Sequence, residues 1–244
     1  LFVPIASLPG DNVTKKSENL KWFNGPTLLE ALDTLKPIEL PTGLPLRLPV
    51  QDVFTITGIG TVPCGRVETG ILKVGQKVIV QPSGKVGELK SIEMHHTQMS
   101  QAKPGDNVGV NIRGIGKTDV KRGDVISDAT KSPAKVCKEF TGRIIVLNHP
   151  TVLTVGYTPV FHVNTAQVSC KIKAIKRQID PRTGATIKEN PDFLKNGEAG
   201  EVIVEPTRPL IIEKNEDIPQ LSKFAIRDMG RTVAAGMCID VVNK

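Results

Sequence analysis

Aromatic residues are scarce: Phe, Trp and Tyr together make 4% of the 244 residues. The core must therefore come from aliphatic side chains within the 39% apolar content. Cysteine is scarce too. Cys64, Cys137, Cys170 and Cys238 lie far apart with no Cys-x-x-Cys, which argues against a disulfide framework or a zinc site and for reduced thiols in a cytoplasmic protein. No stretch is long and uncharged enough to span a membrane, so no membrane partner is expected. There is no internal repeat and no low-complexity segment. Leu1-Phe2-Val3-Pro4-Ile5 follows no basic leader, so a signal peptide is not expected. It reads as the middle of a strand, and the chain is expected to have lost its beginning.

What is abundant is punctuation. The chain has 22 Gly and 18 Pro, favouring many short strands over long helices. A formal charge of +7 and a pI near 9.2 fit an anionic partner. Lys and Arg are scattered, however, and charge alone fits a solvated basic surface as well.

The most informative stretch is Asp52 to Gly75. Phe54 and Ile56 share a strand face, because side chains two apart point the same way. Gly58-Ile59-Gly60 breaks the alternation before a second strand from Thr61 to Glu68. The glycines do not make a dinucleotide fingerprint: Pro63 replaces the third glycine, and β-branched residues follow instead of a helix. A tight bend in a barrel strand accounts for them.

Taken in order, residues 1–36 should hold a strand at Phe2–Ile5, a Pro9–Asn12 turn and a helix from Pro26, capped by Asn24 or Gly25. Leu28, Leu32 and Leu35 would form its apolar stripe. Residues 37–45 make a Pro-rich linker. A first barrel occupies 46–131, with strands at Leu46–Ile56, Thr61–Glu68, Lys77–Gln81, Val86–Met94, Val108–Arg113 and Asp124–Ile126. After a break at 132–137, a second occupies 138–244, with strands at Glu139–Asn148, Pro159–Asn164, Gln167–Ile179, Gly200–Glu205, Pro209–Glu213, Lys223–Arg227 and Thr232–Val242. Pro181–Gly184 signals a turn. The expected fold is all-β, with two consecutive closed barrels that leave no sheet edge open.

Several tempting sites dissolve. Gly114-Ile115-Gly116-Lys117-Thr118 ends like a phosphate loop, but Asn111 stands where the first glycine belongs and no helix follows. His95 and His96 are adjacent, so on a strand they would face opposite ways and not clamp one ion. His149 and His162 have no acid or cysteine at ligand spacing. Arg122-Gly123-Asp124 reads as a turn before a strand. No nucleophile–base pair is visible, and no catalysis is expected of this chain alone. Glu93, between Ile92 and Met94, points to solvent or into a groove.

The segments Gly60–Gly70 (GTVPCGRVETG), Ser91–His96 and Pro104–Gly109 together resemble the second domain of the elongation factor 1-alpha and Tu family, its archaeal members most closely. The likeness continues through RLPVQDV, LNHP, GYTPV, PRTG and KFAIRDMGRTVAAG. It implies that residues 1–36 are the last strand and helix of an α/β GTP-binding domain, with Ala6, Ser7 and Leu8 near guanine. The usual Ser-Ala order is reversed there. It implies a tRNA-binding part of a factor that delivers aminoacyl-tRNA to the ribosome. GTP and Mg²⁺ would be held in a domain absent here, and this chain would bind no cofactor. By the same resemblance Glu93 and Ile56 flank the terminal adenosine. Phe54, Val62 and Asn107 surround the esterified amino acid, with Gln51 and Asp52 at its edge. Asn148, His149, Arg227, Arg231 and Gly236 meet the tRNA backbone. Taken alone, each of these arginines reads more often as structural or solvated than as a phosphate contact. Implied partners are aminoacyl-tRNA, the ribosome and a guanine-nucleotide exchange factor. The alternatives are a sister translational GTPase delivering a release or rescue factor, or a protein-interaction scaffold.

Overall fold

A computed structural model describes residues 1–244 as two compact units, Leu1–Glu39 and Leu40–Lys244. No helix is long and apolar enough to cross a membrane.

The first unit departs from expectation in its details. Phe2–Ile5 forms no strand; only an Ala6–Asp11 bridge closes the turn around Gly10. Helix α1 spans Leu28–Asp33, and its cap is Thr27 rather than Asn24 or Gly25. Thr27 and Glu30 make a reciprocal capping box, so two otherwise orphaned N–H groups are satisfied. Pro26 stands just outside the helix. The expected leucine stripe is not buried within this unit: Leu32 and Leu35 are exposed, and Ala31 is the buried residue.

The second unit holds the two barrels. The first contains β1 (Leu48–Ile56), β2 (Gly60–Arg66), β3 (Leu72–Lys73), β4 (Lys77–Gln81), β5 (Lys85–Met94), β6 (Thr97–Met99), β7 (Gln101–Ala102), β8 (Asn107–Arg113) and β9 (Val125–Asp128). The ring runs β4-β9-β1-β2-β8-β5 and closes by β4–β5 pairing, with β6 added at the edge of β5. The second contains β10 (Cys137–Val146), β11 (Leu153–Thr154), β12 (Val160–Val163), β13 (Ala166–Ile179), β14 (Thr186–Glu189), β15 (Phe193–Leu194), β16 (Ala199–Pro206), β17 (Lys223–Asp228) and β18 (Arg231–Asn243). Its ring, β12-β17-β18-β10-β16-β13, closes by β12–β13 pairing. Short strands such as β3, β7, β11 and β15 lack enough alternation to be read from sequence.

Pro209–Glu213 forms no strand; its one pairing is the bridge of Leu210 to Cys137. Its alternation is nevertheless used. Leu210 and Ile212 enter the second barrel's core, while Ile211 joins Val125, Ala134, Ile218 and Leu221 in a small core where the barrels meet. Arg47 fastens the same junction. Its side chain is 3% exposed; Nε donates to Glu213 Oε1 at 2.7 Å, and Nη1 donates to the carbonyls of Leu46 and Ser132 at 2.9 Å. All four cysteines are free thiols. Burial pushes Cys137, Cys170 and Cys238 up to about 12, which keeps them protonated and inert.

Candidate nucleic-acid interface

The outer face of the first barrel carries an open groove of about 260 Å³. Strand register explains its contents, since residues opposite one another on antiparallel strands present side chains to the same face. Phe54 is paired with Val62, and Asp52 with Cys64. Cys64 is in turn opposite Gly109, and Gly109 opposite Glu93. Asn111 pairs with Ser91, and Glu93 with Gln98. These rows bring Phe54, Ile56, Val62 and Glu93 into one groove.

The groove is apolar at the β1 side and polar at the β5 side. Phe54 is 51% exposed and Ile56 43%, a large apolar area left open to solvent. Across from them, Glu93 Oε2 accepts from Gln98 Nε2 at 3.2 Å, and His96 Nδ1 lies 3.9 Å from Glu93 Oε1. The floor is Gly109. A Cβ there would come within 3.2 Å of Val62 Cγ1 and 3.3 Å of Cys64 Sγ, so glycine keeps the centre open. Burial, with the Asp52 carboxylate, raises the Cys64 thiol above its ordinary range. Asn111 Nδ2 donates to the Ile59 carbonyl at 2.8 Å and so pins the turn that forms the rim.

Asn107, Asp52 and Gln51 do not line this groove. Asn107 and Asp52 continue its face: Asn107 is opposite Arg66, two pairs beyond Cys64–Gly109. Gln51 sits in a register shift between Val50 and Asp52, where a bulge turns it to solvent. His95 and His96 are not strand residues. They form the hairpin turn between β5 and β6, with φ of 50° and 61°, and both reach the groove. Adjacent residues share a site because left-handed backbone replaces strand alternation. Cys64, Ser91, Gln98, Gly109 and Asn111 were missed as site residues; two-apart spacing from Val62, Glu93 and Asn107 was the available signal for most of them.

The second barrel gathers Asn148, His149, Arg227 and Arg231 at one end, while Gly236 lies further along β18, opposite Ile144 and Phe224. Asn148 is exposed, but the His149 side chain is turned in and the residue is 8% exposed. His149 Nδ1 accepts the Thr151 N–H at 3.2 Å, and its backbone N–H and carbonyl are both held by the Asn196 amide at 2.8 Å. Burial lowers the imidazole below its usual range, against the pull of Asp228. The buried ring props the loop and does not face solvent. Arg231 is exposed, and Arg227 Nη2 donates to the Gly230 carbonyl at 3.2 Å. Gly236 is glycine for an internal reason: a Cβ would meet the Arg143 carbonyl oxygen at 2.3 Å and Phe224 Cζ at 3.0 Å. On another face, Arg177 and Arg143 hydrogen bonds hold Glu201 below the usual carboxylate range although burial would raise it.

In the first unit, Ala6, Ser7 and Leu8 lie on the turn closed by the Ala6–Asp11 bridge, with Ser7 and Leu8 exposed. They build no cradle for a base. Gly114–Lys117 is a turn with no helix behind it, and the Asn111 amide is engaged with Ile59. Neither of these two turns forms a guanine cradle.

Residues 60–127 match the family described as Elongation factor Tu domain 2, and residues 139–239 match GTP-eEF1A C-terminal domain-like. The chain is 60% identical over 243 residues to elongation factor 1-alpha of Methanocaldococcus jannaschii, covering 100% of this chain and 56% of that protein. It is 60% identical over 240 residues to the Thermoplasma acidophilum factor, covering 98% of this chain and 56% of the relative. Among solved structures, sup35 complexed with GMPPNP superposes with a TM-score of 0.78 at 29% identity, covering 98% of this chain and 58% of that one. The chain thus spans a little over half the length of the curated relatives it matches.

Proposed function

We propose, from the premise that this chain belongs to the elongation factor 1-alpha family, that it is the tRNA-binding part of a factor delivering aminoacyl-tRNA to the ribosome. The groove on the first barrel carries the proposal. An unpaired base offers an aromatic face to pack and polar edges to hydrogen-bond. Ile56 supplies an apolar wall and Glu93 an acceptor across from it. Phe54 and Val62 bound the space beside the base, and the Gly109 floor leaves room for varied amino-acid side chains. Asp52, Gln51 and Asn107 would border the esterified end.

In this reading residues 1–36 are the tail of a GTP-binding domain, 37–45 a linker, and 46–131 and 138–244 the two RNA-binding barrels. The complete factor would use GTP and Mg²⁺ in its other domain and meet the ribosome and a nucleotide exchange factor in the cytoplasm. The chain's 60% identity to factors named elongation factor 1-alpha, against 29% to sup35, favours tRNA over a protein cargo. Asn148, Arg227 and Arg231 would follow the tRNA backbone, where a guanidinium makes paired hydrogen bonds to phosphate.

The test is protection of the aminoacyl ester from spontaneous hydrolysis by the complete GTP-bound factor. Glu93→Ala and Ile56→Ala should each weaken aminoacyl-tRNA binding by roughly five- to 150-fold, the loss of about 1–3 kcal/mol of base packing. Full protection by Glu93→Ala at near-stoichiometric concentration, with unchanged melting, would overturn the assignment.

A further inference from the structure

The chain's one tyrosine, Tyr157, joins two loops that are far apart in sequence. Its ring meets His149 edge-on, with centroids 5.0 Å apart at 81°. Its hydroxyl donates to Asp228 Oδ2 at 2.7 Å. The His149 side of this link belongs to the loop after β10, already held by Asn196. The Asp228 side opens the tight turn between β17 and β18, where Met229 and Gly230 have φ of 44° and 77°. A phenylalanine would fill the same space, so the hydroxyl needs a reason of its own.

Asp228 supplies that reason. It lies between Arg227 and Arg231 in sequence and is the register partner of Arg231 across the hairpin. A carboxylate so placed is the natural partner for either guanidinium, yet neither arginine is in an ion pair. The Asp228 oxygen is instead engaged by Tyr157, and burial together with that carboxylate raises the phenol well above its ordinary range. We propose that Tyr157 is a positioning residue. It pins Asp228 away from Arg227 and Arg231, leaving Arg231 and the Arg227 N–H groups not bonded to Gly230 open to phosphate, and it sets the Asn148 loop on the same surface. This rests on the reading that this end of the second barrel meets the tRNA backbone.

The probe is a labelled RNA hairpin reproducing an acceptor and T-stem, titrated with the chain across a range of salt concentrations. Tyr157→Phe should weaken binding about three- to tenfold, the loss of one charge-assisted contact. It should also make the slope of log affinity against log salt shallower by up to about one contact. The double variant Tyr157→Phe with Asp228→Asn should recover most of the affinity, because a neutral amide does not capture the arginines. Without RNA, the Nε–H signals of Arg227 or Arg231 should shift in Tyr157→Phe and return in the double variant. That recovery separates positioning from simple support of the fold. Unchanged arginine signals, or a double variant as weak as Tyr157→Phe, would overturn the inference. If Arg231→Ala binds the hairpin like wild type while the arginine signals still move, the backbone-contact reading fails and the pinning of Asp228 stands.

Discussion

The two barrels use their few aromatic residues in opposite ways. In the second, Phe140, Phe161 and Phe224 are buried together, with ring centroids 5.2 to 6.0 Å apart. In the first, the core is aliphatic throughout, and the single aromatic residue, Phe54, stands half-exposed on the outside. A phenylalanine inside is held by packing. One outside, beside an apolar groove with an acid across from it, leaves exposed apolar surface that a ligand could cover. The same residue type thus builds the core of one barrel and, in the proposed reading, serves recognition in the other, although Phe193 on the second barrel is exposed too.

The sharpest break of this contrast is Phe224→Ala. It empties the centre of the aromatic trio and should destabilise the second barrel by about 3–5 kcal/mol, read from urea denaturation. Gly142 and Gly236 both abut that ring, so little can move in to fill the space. A loss below about 1 kcal/mol would mean the trio is not what organises this core.

Next in size is Arg47→Ala at the junction. It leaves Glu213 and the Leu46 and Ser132 carbonyls without their buried donor. The expected cost is about 2–3 kcal/mol, with calorimetry resolving two transitions where the wild type should give one. A single unshifted transition would show that the small core around Ile211 holds them without the ion pair.

Phe54→Ala is the counterpart of Phe224→Ala and should behave inversely. Stability should change by less than about 1 kcal/mol, since the ring is half in water. Binding of an aminoacylated RNA end by the complete factor should weaken by about 1–3 kcal/mol. A large drop in melting temperature would erase the distinction between the barrels.

The smallest effect is a pH dependence confined to the second barrel. His149 is held below its usual value by burial, against Asp228, so the unfolded chain takes up its proton first as pH falls. The stability this contributes is present above about pH 6.5 and is lost as pH falls through the lower folded-state value. Comparing urea midpoints of wild type and His149→Gln at pH 7.5 and 5 isolates it. Identical pH slopes would mean that the ring is not buried as a neutral group.

Much of the fold was legible because strands declare themselves locally. Lys77–Gln81 was placed to the residue and the long strands to within about two residues at each end, through alternation and flanking glycines. Pro209–Glu213 was expected as a strand, but Leu210, Ile211 and Ile212 are buried in succession between two cores without joining a sheet. In the first unit the chemistry of Thr27 and Glu30 outweighed the proline that suggested an earlier start.

The sequence by itself determined which faces of each strand are apolar, where the chain turns, and, by resemblance, that Phe54, Ile56, Val62 and Glu93 belong together. Only the tertiary structure decided what stands between them. Register across four strands set Gly109 and Cys64 in the groove and Asn107 beyond it. A left-handed turn swung both His95 and His96 toward one site. The Tyr157 hydroxyl reached the carboxylate of Asp228, 71 residues away and between two arginines in sequence. The reason is one of range: a side chain's face depends on its own strand's two-residue period, whereas its neighbours depend on which distant strands pair, and at what offset.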